Sequence, residues 1–218
     1  KVKAAKAHDG SIAASPFRPA REAAMMHRLM SEAGTSIAPD TLVRLWRVIL
    51  SASIQSQAPV TLHMESALGN DLATRLLVAQ HFCGMTVELH NSPSRALEAL
   101  ALARGDLALI APSSDWATAF VSGVAGGAQA IVTLPVLADG SQPQLLIFGH
   151  ALPQSTGDDE TLLLLPAEAS RLSGALWQAQ SGTATLAAVS GFLQDDMLTL
   201  HPGAHVVGRY PRPIEVSS

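Results

Sequence analysis

The chain has 218 residues, of which 48% are hydrophobic and 15% are charged. This composition is too apolar for a disordered protein and suffices for one large core or two modest ones. The formal net charge of −4 argues against a general nucleic-acid-binding protein. The single cysteine, Cys83, excludes an intrachain disulfide and favours a reducing, cytoplasmic location.

Charge is distributed unevenly along the chain. Residues 1–58 carry eight cations and four anions, whereas residues 59–218 carry six cations and fourteen anions. A positive segment on an acidic protein suits a small anionic ligand, although charge drift between two domains gives the same pattern. The longest uncharged run, residues 116–138, contains three glycines and Pro135, so it predicts a loop and a buried strand rather than a membrane span.

The first 58 residues have helical periodicity. Residues 1–7 are typical of the tail of a helix without a start signal, so we expect the native protein to begin earlier. Residues 20–33 and 39–57 predict two more helices, ended by Gly34 and Pro59. Their predicted apolar faces consist of Met25, Met26, Leu29, Met30 and Ala33 in the former and of Leu42, Leu45, Trp46, Ile49 and Leu50 in the latter. Three helices close no core alone, so they need partner helices from upstream sequence or from a second subunit.

From Pro59 onward, strand and helix patterns alternate. Strands are predicted at 60–64, 85–89 and 107–111, with helices at 71–82 and 92–103 between them, which indicates a parallel sheet. Further strands are predicted at 130–137, 145–148, 161–165, 183–189 and 205–209, and a further helix at 172–180. Composition shifts divide the chain into a helical domain (1–58), an α/β module (59–157) and a tail (158–218).

Motifs for common cofactor and nucleophile chemistry are missing. The sequence has no P-loop, no G-x-G-x-x-G after a strand, no G-x-S-x-G and no H-E-x-x-H. His201 and His205 are separated by Pro and Gly and form no helical metal pair. We therefore expect no metal ion and no cofactor. Cys83, at the end of a predicted helix, is expected to be a buried thiol.

Three polar residues interrupt the apolar faces of the predicted helices. Ser53 and Gln57 are four residues apart and continue the stripe that passes through Ile49. Glu22 lies on the apolar side of the preceding helix. Each has an ordinary explanation: a serine bonded to a backbone carbonyl, a glutamine at a fraying helix end, and a first-turn glutamate favoured by the helix dipole.

Together, Arg21-Glu22 and Ser53-x-x-x-Gln57 resemble the second and third helices of all-helical (AroQ-class) chorismate mutases, and residues 2–6 resemble the end of that family's long first helix. The resemblance covers residues 1–58. It implies that Lys6 contacts a carboxylate and the ether oxygen of chorismate, and that Glu22 accepts from the ring hydroxyl. It also implies that Ser53 binds a carboxylate and that Gln57 donates to the ether oxygen. Arg18, where some relatives have Asp, is a further substrate-binding candidate.

The resemblance implies an isomerase of aromatic amino-acid biosynthesis that converts chorismate to prephenate without a cofactor. The family also uses two arginines of the first helix, one of them from the partner subunit, and both would precede Lys1. We therefore expect a homodimer that shares helices, with no nucleic-acid or membrane partner.

Residues 59–218 more weakly resemble the second half of bifunctional mutase–prephenate dehydratases. Residues 208–213, and residues 158–164 with 173–176, are similar to the end of such chains and to the opening of their ACT domain. The Thr-Arg-Phe and Glu-Ser-Arg-Pro signatures are absent. The expected fold is therefore α + α/β: a mutase-type helical domain lacking most of its first helix, a small, degenerate dehydratase-like three-layer module with a parallel sheet, and an ACT-like tail. We expect no dehydratase activity.

Two other interpretations remain open. The chain could be a non-catalytic ligand-sensing or scaffold protein that dimerises through the helices and binds a small carboxylate in the α/β module. It could also be an ordinary α/β domain with an unrelated helical appendage.

Overall fold

The described part of the chain begins with two helices, continues with alternating strands and helices, and ends with a series of strands. The computed structural model describes residues 16–138, 142–166, 171–194 and 203–215. The helix tail predicted at residues 1–7 therefore lies outside the described residues. The described elements are α1 (Pro19–Ala33), α2 (Pro39–Gln57), β1 (Thr61–Glu65), α3 (Ser66–Asn70), α4 (Leu72–His81), β2 (Thr86–His90), α5 (Pro93–Leu102), β3 (Leu107–Ile110), α6 (Ala117–Val121), β4 (Gln129–Leu134), β5 (Leu137–Ala138), β6 (Leu145–Gly149), β7 (Asp159–Leu165), β8 (Trp177–Ser181), β9 (Ala184–Ser190), β10 (His205–Pro211) and β11 (Ile214–Glu215).

The first two helices begin and end at residues that favour helix starts and stops. Both have proline in the first turn, where the missing N–H costs no hydrogen bond. Helix α1 ends at Gly34, which has a φ of 52° that suits glycine. Helix α2 ends at Ala58, before Pro59, whose ring disfavours a helical conformation for the residue that precedes it.

Strands β1, β2 and β3 form the predicted βαβαβ unit. Strand β1 pairs in parallel with both β2 and β3, and helices α4 and α5 connect the three strands. Each connecting helix has a side-chain N-cap: Asp71 accepts from the backbone N–H of Thr74, and Ser92 accepts from that of Arg95. These caps help to fix the residue at which each helix begins.

One sheet joins nearly all the strands of the described residues. The strand order is β2-β1-β3-β6-β4-β10-β7-β9-β8. Strand β6 is antiparallel to both β3 and β4, whereas β10 is parallel to β4 and antiparallel to β7. The sheet continues with antiparallel pairs between β7 and β9 and between β9 and β8. Strands β5 and β11 form a separate two-stranded parallel pair.

The predicted fold class is wrong. A mutase-type helical domain followed by a small parallel module and an ACT-like tail would require separate cores. Instead, a mixed nine-stranded sheet includes strands on both sides of residue 157. Phe17 and Ile54, from the helical segment, pack in the same cluster as sheet residues such as Leu62. The domain boundaries at 58 and 157 stay a prediction.

Each face of the sheet carries its own hydrophobic cluster. On one face, Ala96, Leu97 and Leu100 of α5 pack with Trp116 and Phe148. The opposite face contacts α2 and α4 through a second cluster, which contains Phe17, Ile54, Leu62, Met64 and Val78. Because side chains alternate along a strand, His63 points to the α5 face, between Leu62 and Met64.

Three smaller expectations also differ from the structure. The helix predicted at 172–180 is replaced in part by strand β8, which pairs with β9. Cys83 is exposed rather than buried. Leu45 and Ile49, predicted to lie in the core, are 56% and 57% exposed.

No helix of the described ranges is long and apolar enough to cross a membrane.

Candidate functional site

The residues singled out by the sequence fall at one end of the α1–α2 pair. Arg18 and Glu22 stand at the start of α1, and Ser53 and Gln57 stand at the end of α2. Phe17 and Ile54, their immediate neighbours in the chain, pack in one hydrophobic cluster. The start of α1 and the end of α2 therefore border the same hydrophobic cluster, although 35 positions separate Arg18 from Ser53 in sequence. Lys6, the remaining candidate, lies outside the described residues.

Glu22 is held on both of its carboxylate oxygens. Its Oε1 accepts from the backbone N–H of Arg18 at 3.3 Å, and its Oε2 accepts from Nη1 of Arg47 at 3.0 Å. The side chains of Glu22 and Arg47 are only 11% and 13% exposed, respectively. The α1–α2 pair therefore contains a nearly buried ion pair, and the sequence analysis had given Arg47 no role in it.

Ser53 and Gln57 are exposed. The side-chain amide of Gln57 donates to the backbone carbonyl of Ser53 at 3.2 Å. The half-buried Trp46 and Leu50 precede them on the same helix, at the three- and four-residue spacings of a helix-packing seam. Trp46 Nε1 is buried without a hydrogen-bond partner among the described residues. This seam is therefore only half covered by the part of the chain that the structure describes.

Arg18 and Arg21 are the arginines of residues 16–58 that form no ion pair within the described part of the chain. Arg28, Arg44 and Arg47 each form an ion pair with a glutamate or an aspartate. Within the described ranges, Arg18 and Arg21 have no carboxylate partner for their side chains, and both are exposed. The start of α1 therefore carries two exposed cations available to an anion.

Two small cavities adjoin Arg212, which follows the last long strand of the sheet. One, of about 40 Å³, is lined by Glu22, Arg47, Thr133 and Arg212 among other residues. Arg47 Nε, Thr133 Oγ1 and Arg212 Nε are buried without a hydrogen-bond partner among the described residues. The other cavity, of about 140 Å³, shares Arg212 and is also lined by Glu160.

Glu160 is the buried acid of the larger cavity. One carboxylate oxygen accepts from Nε1 of Trp177 at 3.3 Å, and the other lies 3.8 Å from Nε of Arg212. Burial raises the pKa of Glu160, while the Trp177 hydrogen bond and the Arg212 charge oppose that rise. Burial, followed by the nearby charge of Glu160, also raises the pKa of Tyr210.

A third group of polar side chains lies on the face of the sheet opposite the α1–α2 pair. It stands at the edge formed by β1 and β2. Nδ1 of His63 lies 3.1 Å from Nε2 of His90, and its Nε2 lies 3.3 Å from a carboxylate oxygen of Asp106. Asp106 also accepts from the backbone N–H of Thr61 at 2.9 Å. Oε2 of Glu88 lies 3.8 Å from Nδ1 of His63, and Oε1 of Glu88 lies 3.9 Å from Nε2 of His90. Burial, followed by the proximity of His63, lowers the pKa of His90.

This histidine cluster was not predicted from the sequence. His63, Glu88 and His90 fall in or beside two strands that were predicted, and alternation places Glu88 and His90 on one face of β2. The missing information was register: His63 lies directly opposite Glu88, and Glu65 opposite His90. A one-residue slip would have sent Glu88 and His90 to the other face.

The sequence of the chain matches no known protein family and no curated protein. Two solved structures are similar in part. One, described as GqqA, a novel type of quorum-quenching acylase, is 16% identical, with a TM-score of 0.46 over 69% of this chain and 94% of its own. The other, a prephenate dehydratase from Streptococcus mutans, is 8% identical, with a TM-score of 0.44 over 73% of this chain and 100% of its own. Both are enzymes, but likeness at this level identifies neither a family nor an activity.

Proposed function

We propose that the chain is a chorismate mutase, which rearranges chorismate to prephenate at the end of the α1–α2 pair that holds Arg18, Glu22, Ser53 and Gln57. One observation carries the proposal. The helices that carry the candidate residues pack against each other, since Glu22 of α1 forms an ion pair with Arg47 of α2. The local charge supports it as well, since Arg18 and Arg21 are exposed cations and chorismate is a dianion.

The reaction needs positioning and charge stabilisation rather than a nucleophile. A unimolecular rearrangement is accelerated by holding the substrate in its compact reactive conformer. Negative charge grows on the ether oxygen as the C–O bond breaks, so donors aimed at that atom lower the barrier. Among the described residues, Gln57 is the proposed donor to the ether oxygen. Its side-chain amide donates one exposed hydrogen bond to the Ser53 carbonyl, which the substrate can replace. Lys6 would be the second donor.

The proposal includes a homodimer formed through α2. Leu45, Val48 and Ile49 are each about half exposed on this helix, beside the half-covered seam of Trp46, Leu50, Ser53 and Gln57. Exposed apolar side chains in a continuous group are typical of protein interfaces. A second copy packed on this surface would cover the apolar residues and also enclose Ser53 and Gln57, which a single chain leaves open to water.

The test follows the loss of chorismate absorbance for the chain and for single variants. Gln57→Ala should lower kcat by a factor of about 100 or more, since it removes a donor to the breaking bond. Ser53→Ala should mainly raise KM, because Ser53 is proposed to bind a carboxylate. Ser56→Ala is the matched control, since Ser56 lies on the same turn and its hydroxyl donates to the Ser53 carbonyl.

Absence of turnover by the full-length protein at saturating chorismate would contradict the proposal. Equal losses in Ser56→Ala and Ser53→Ala would also contradict the assigned roles. The product should be prephenate alone, because we propose no dehydratase activity, and appearance of phenylpyruvate would refute that part.

A second candidate function is non-catalytic sensing of a small carboxylate. The cavity lined by Arg47, Thr133 and Arg212 supports it, because each of these side chains has a buried polar atom there without a hydrogen bond. Malonate and L-phenylalanine are suitable probes in a thermal-shift titration. Stabilisation that disappears in Arg212→Met, combined with no chorismate turnover, would favour sensing over catalysis.

A further inference from the structure

The histidine cluster at the edge of the sheet has the geometry of a metal centre. Among the described residues, one atom each from His63, Glu88 and His90 lies within 4.8 Å of the other two. Two ligand atoms of a tetrahedral zinc ion, each about 2.1 Å from the metal, lie about 3.4 Å apart. The two histidine nitrogens are 3.1 Å apart, and they lie 3.8 and 3.9 Å from different carboxylate oxygens of Glu88. Small rotations of the exposed Glu88 side chain would bring its oxygens to ligand distance.

Asp106 supplies the partner that metal-binding histidines need. A ligating histidine usually donates its other ring N–H to a carboxylate, which fixes the tautomer and the ring orientation. His63 fits this pattern, because its Nε2 faces Asp106 at 3.3 Å and its Nδ1 faces His90 and Glu88. Asp106 is itself held by the backbone N–H of Thr61. With the hydrogen on Nε2, the Nδ1 lone pair of His63 points into the cluster.

One side of the cluster is buried and the other side is exposed to solvent. This arrangement suits a metal ion with one coordination position open to water or to a small molecule. His63 is 4% exposed and lies on the central side, whereas the side chain of Glu88 is 59% exposed on edge strand β2. Structural zinc sites use four protein ligands, whereas three protein ligands leave a position for water or a small molecule. This cluster offers three ligands, with solvent on the Glu88 side.

We propose that His63, Glu88 and His90 bind a divalent transition-metal ion, with Zn²⁺ the best fit, and that Asp106 positions His63. Two imidazoles and a carboxylate match the ligand preferences of zinc, whereas Mg²⁺ and Ca²⁺ prefer oxygen ligands. The site lies on the face of the sheet opposite the α1–α2 pair, because His63 alternates with Leu62 and Met64, whose cluster includes Phe17 and Ile54. It is therefore a second site, independent of the proposed mutase residues.

The metal content of the chain tests the site directly. After treatment with a chelator and dialysis, the chain should take up one equivalent of Zn²⁺ by calorimetry and by elemental analysis. Co²⁺ in its place should give visible d–d bands of a four- or five-coordinate ion. Glu88→Gln and His90→Gln alter exposed or edge positions, so both should fold, which circular dichroism can verify. We expect each to weaken Zn²⁺ binding by at least 100-fold.

The positioning role of Asp106 has its own readout. Asp106→Asn keeps the shape of the side chain but removes the charge behind His63, so Zn²⁺ affinity should fall 10- to 100-fold while the stoichiometry stays at one. Glu98→Gln, at an exposed glutamate of α5, is the matched control and should leave affinity unchanged. Lack of Zn²⁺ uptake by the unmodified chain would overturn the proposal. So would uptake that Glu88→Gln and His90→Gln leave unaltered, because the ion would then lie elsewhere.

Discussion

Arg47 of α2 and Glu22 of α1 form an ion pair at 3.0 Å, in which both side chains are almost nine-tenths covered. The pair ties together two helices that are otherwise joined by the five residues between them. Glu22 gains a second bond from the backbone N–H of Arg18, so the start of α1 is fixed as well. Removal of one partner would leave the other charge with little access to water. We expect this to lower the free energy of unfolding by much more than the loss of a surface ion pair does.

We expect Glu22→Gln and Arg47→Met each to lower the free energy of unfolding by about 3 kcal/mol, as is typical for one half of a buried pair. The double variant should cost less than the sum of the two, since neither charge is then left alone. Urea denaturation of the four proteins measures this coupling. Glu32→Gln is the control: its pair with Arg28 is 58% and 70% exposed, so the loss should stay below about 1 kcal/mol. Equal losses at both glutamates would contradict the argument.

The exposed apolar surface of α2 gives a prediction about assembly. Ile49 is 57% exposed at the centre of the proposed dimer contact. Ile49→Glu should convert the dimer to a monomer in light scattering without unfolding the chain, since a buried carboxylate at the interface is costly. Leu102→Glu, at a leucine of α5 that is 91% exposed, should leave the dimer intact. An unmodified chain that is monomeric at high concentration would contradict the proposed dimer.

The sequence predicted local elements well. Helix α2 was predicted at its observed bounds, because Pro39 and Pro59 mark its start and stop. Strands β1 to β3 fall within a residue or two of prediction, since apolar runs and helix caps alternate clearly there. The fold class failed at long range. The pairing of β10 with β4 joins residues about 80 apart, and nothing in either strand's pattern specifies that neighbour.

The candidate site was predictable in part for a similar reason. Glu22, Ser53 and Gln57 were singled out by their helical spacing together with the family resemblance, and their roles stay a prediction. Arg47 was missed, because the partner of a buried charge on another helix depends on how the helices pack. The exposure of Leu45 and Ile49 was missed because the apolar face of α2 is wider than the surface that the sheet covers. The histidine cluster needed strand register, which alternation alone does not supply.

His81 should make stability depend on pH. Burial, reinforced by the charge of Arg47, lowers its pKa to about 4, against the bond that its Nδ1 makes to the carbonyl of Leu77. The unfolded chain binds the proton near pH 6.5 and the folded chain does not, so stability is fully present above that pH. It should fall as pH drops from about 6.5 to about 4, by about 3 kcal/mol in all.

The measurement for His81 is the difference in unfolding free energy between the chain and His81→Gln at pH 7 and pH 5. The advantage of the unmodified chain should shrink at pH 5, because only its His81 resists protonation. His27→Gln, at an exposed histidine of α1, is the control and should show the same difference at both pH values. A constant difference for His81→Gln as well would show that burial does not shift the titration of His81.

Gly208 is the residue at which β10 pairs with β4, and β10 pairs with β7 along its other edge. A Cβ at this position would overlap the backbone carbonyl of Ala130, which cannot move without breaking the pairing. Gly208→Ala should therefore lower the free energy of unfolding by about 3 kcal/mol or more, the upper range of overpacking in a fixed environment. Gly105→Ala is the matched control, because a Cβ there meets nothing within 4 Å. Urea denaturation of both variants decides the matter: similar midpoints would mean that β10 does not lie against β4 as described.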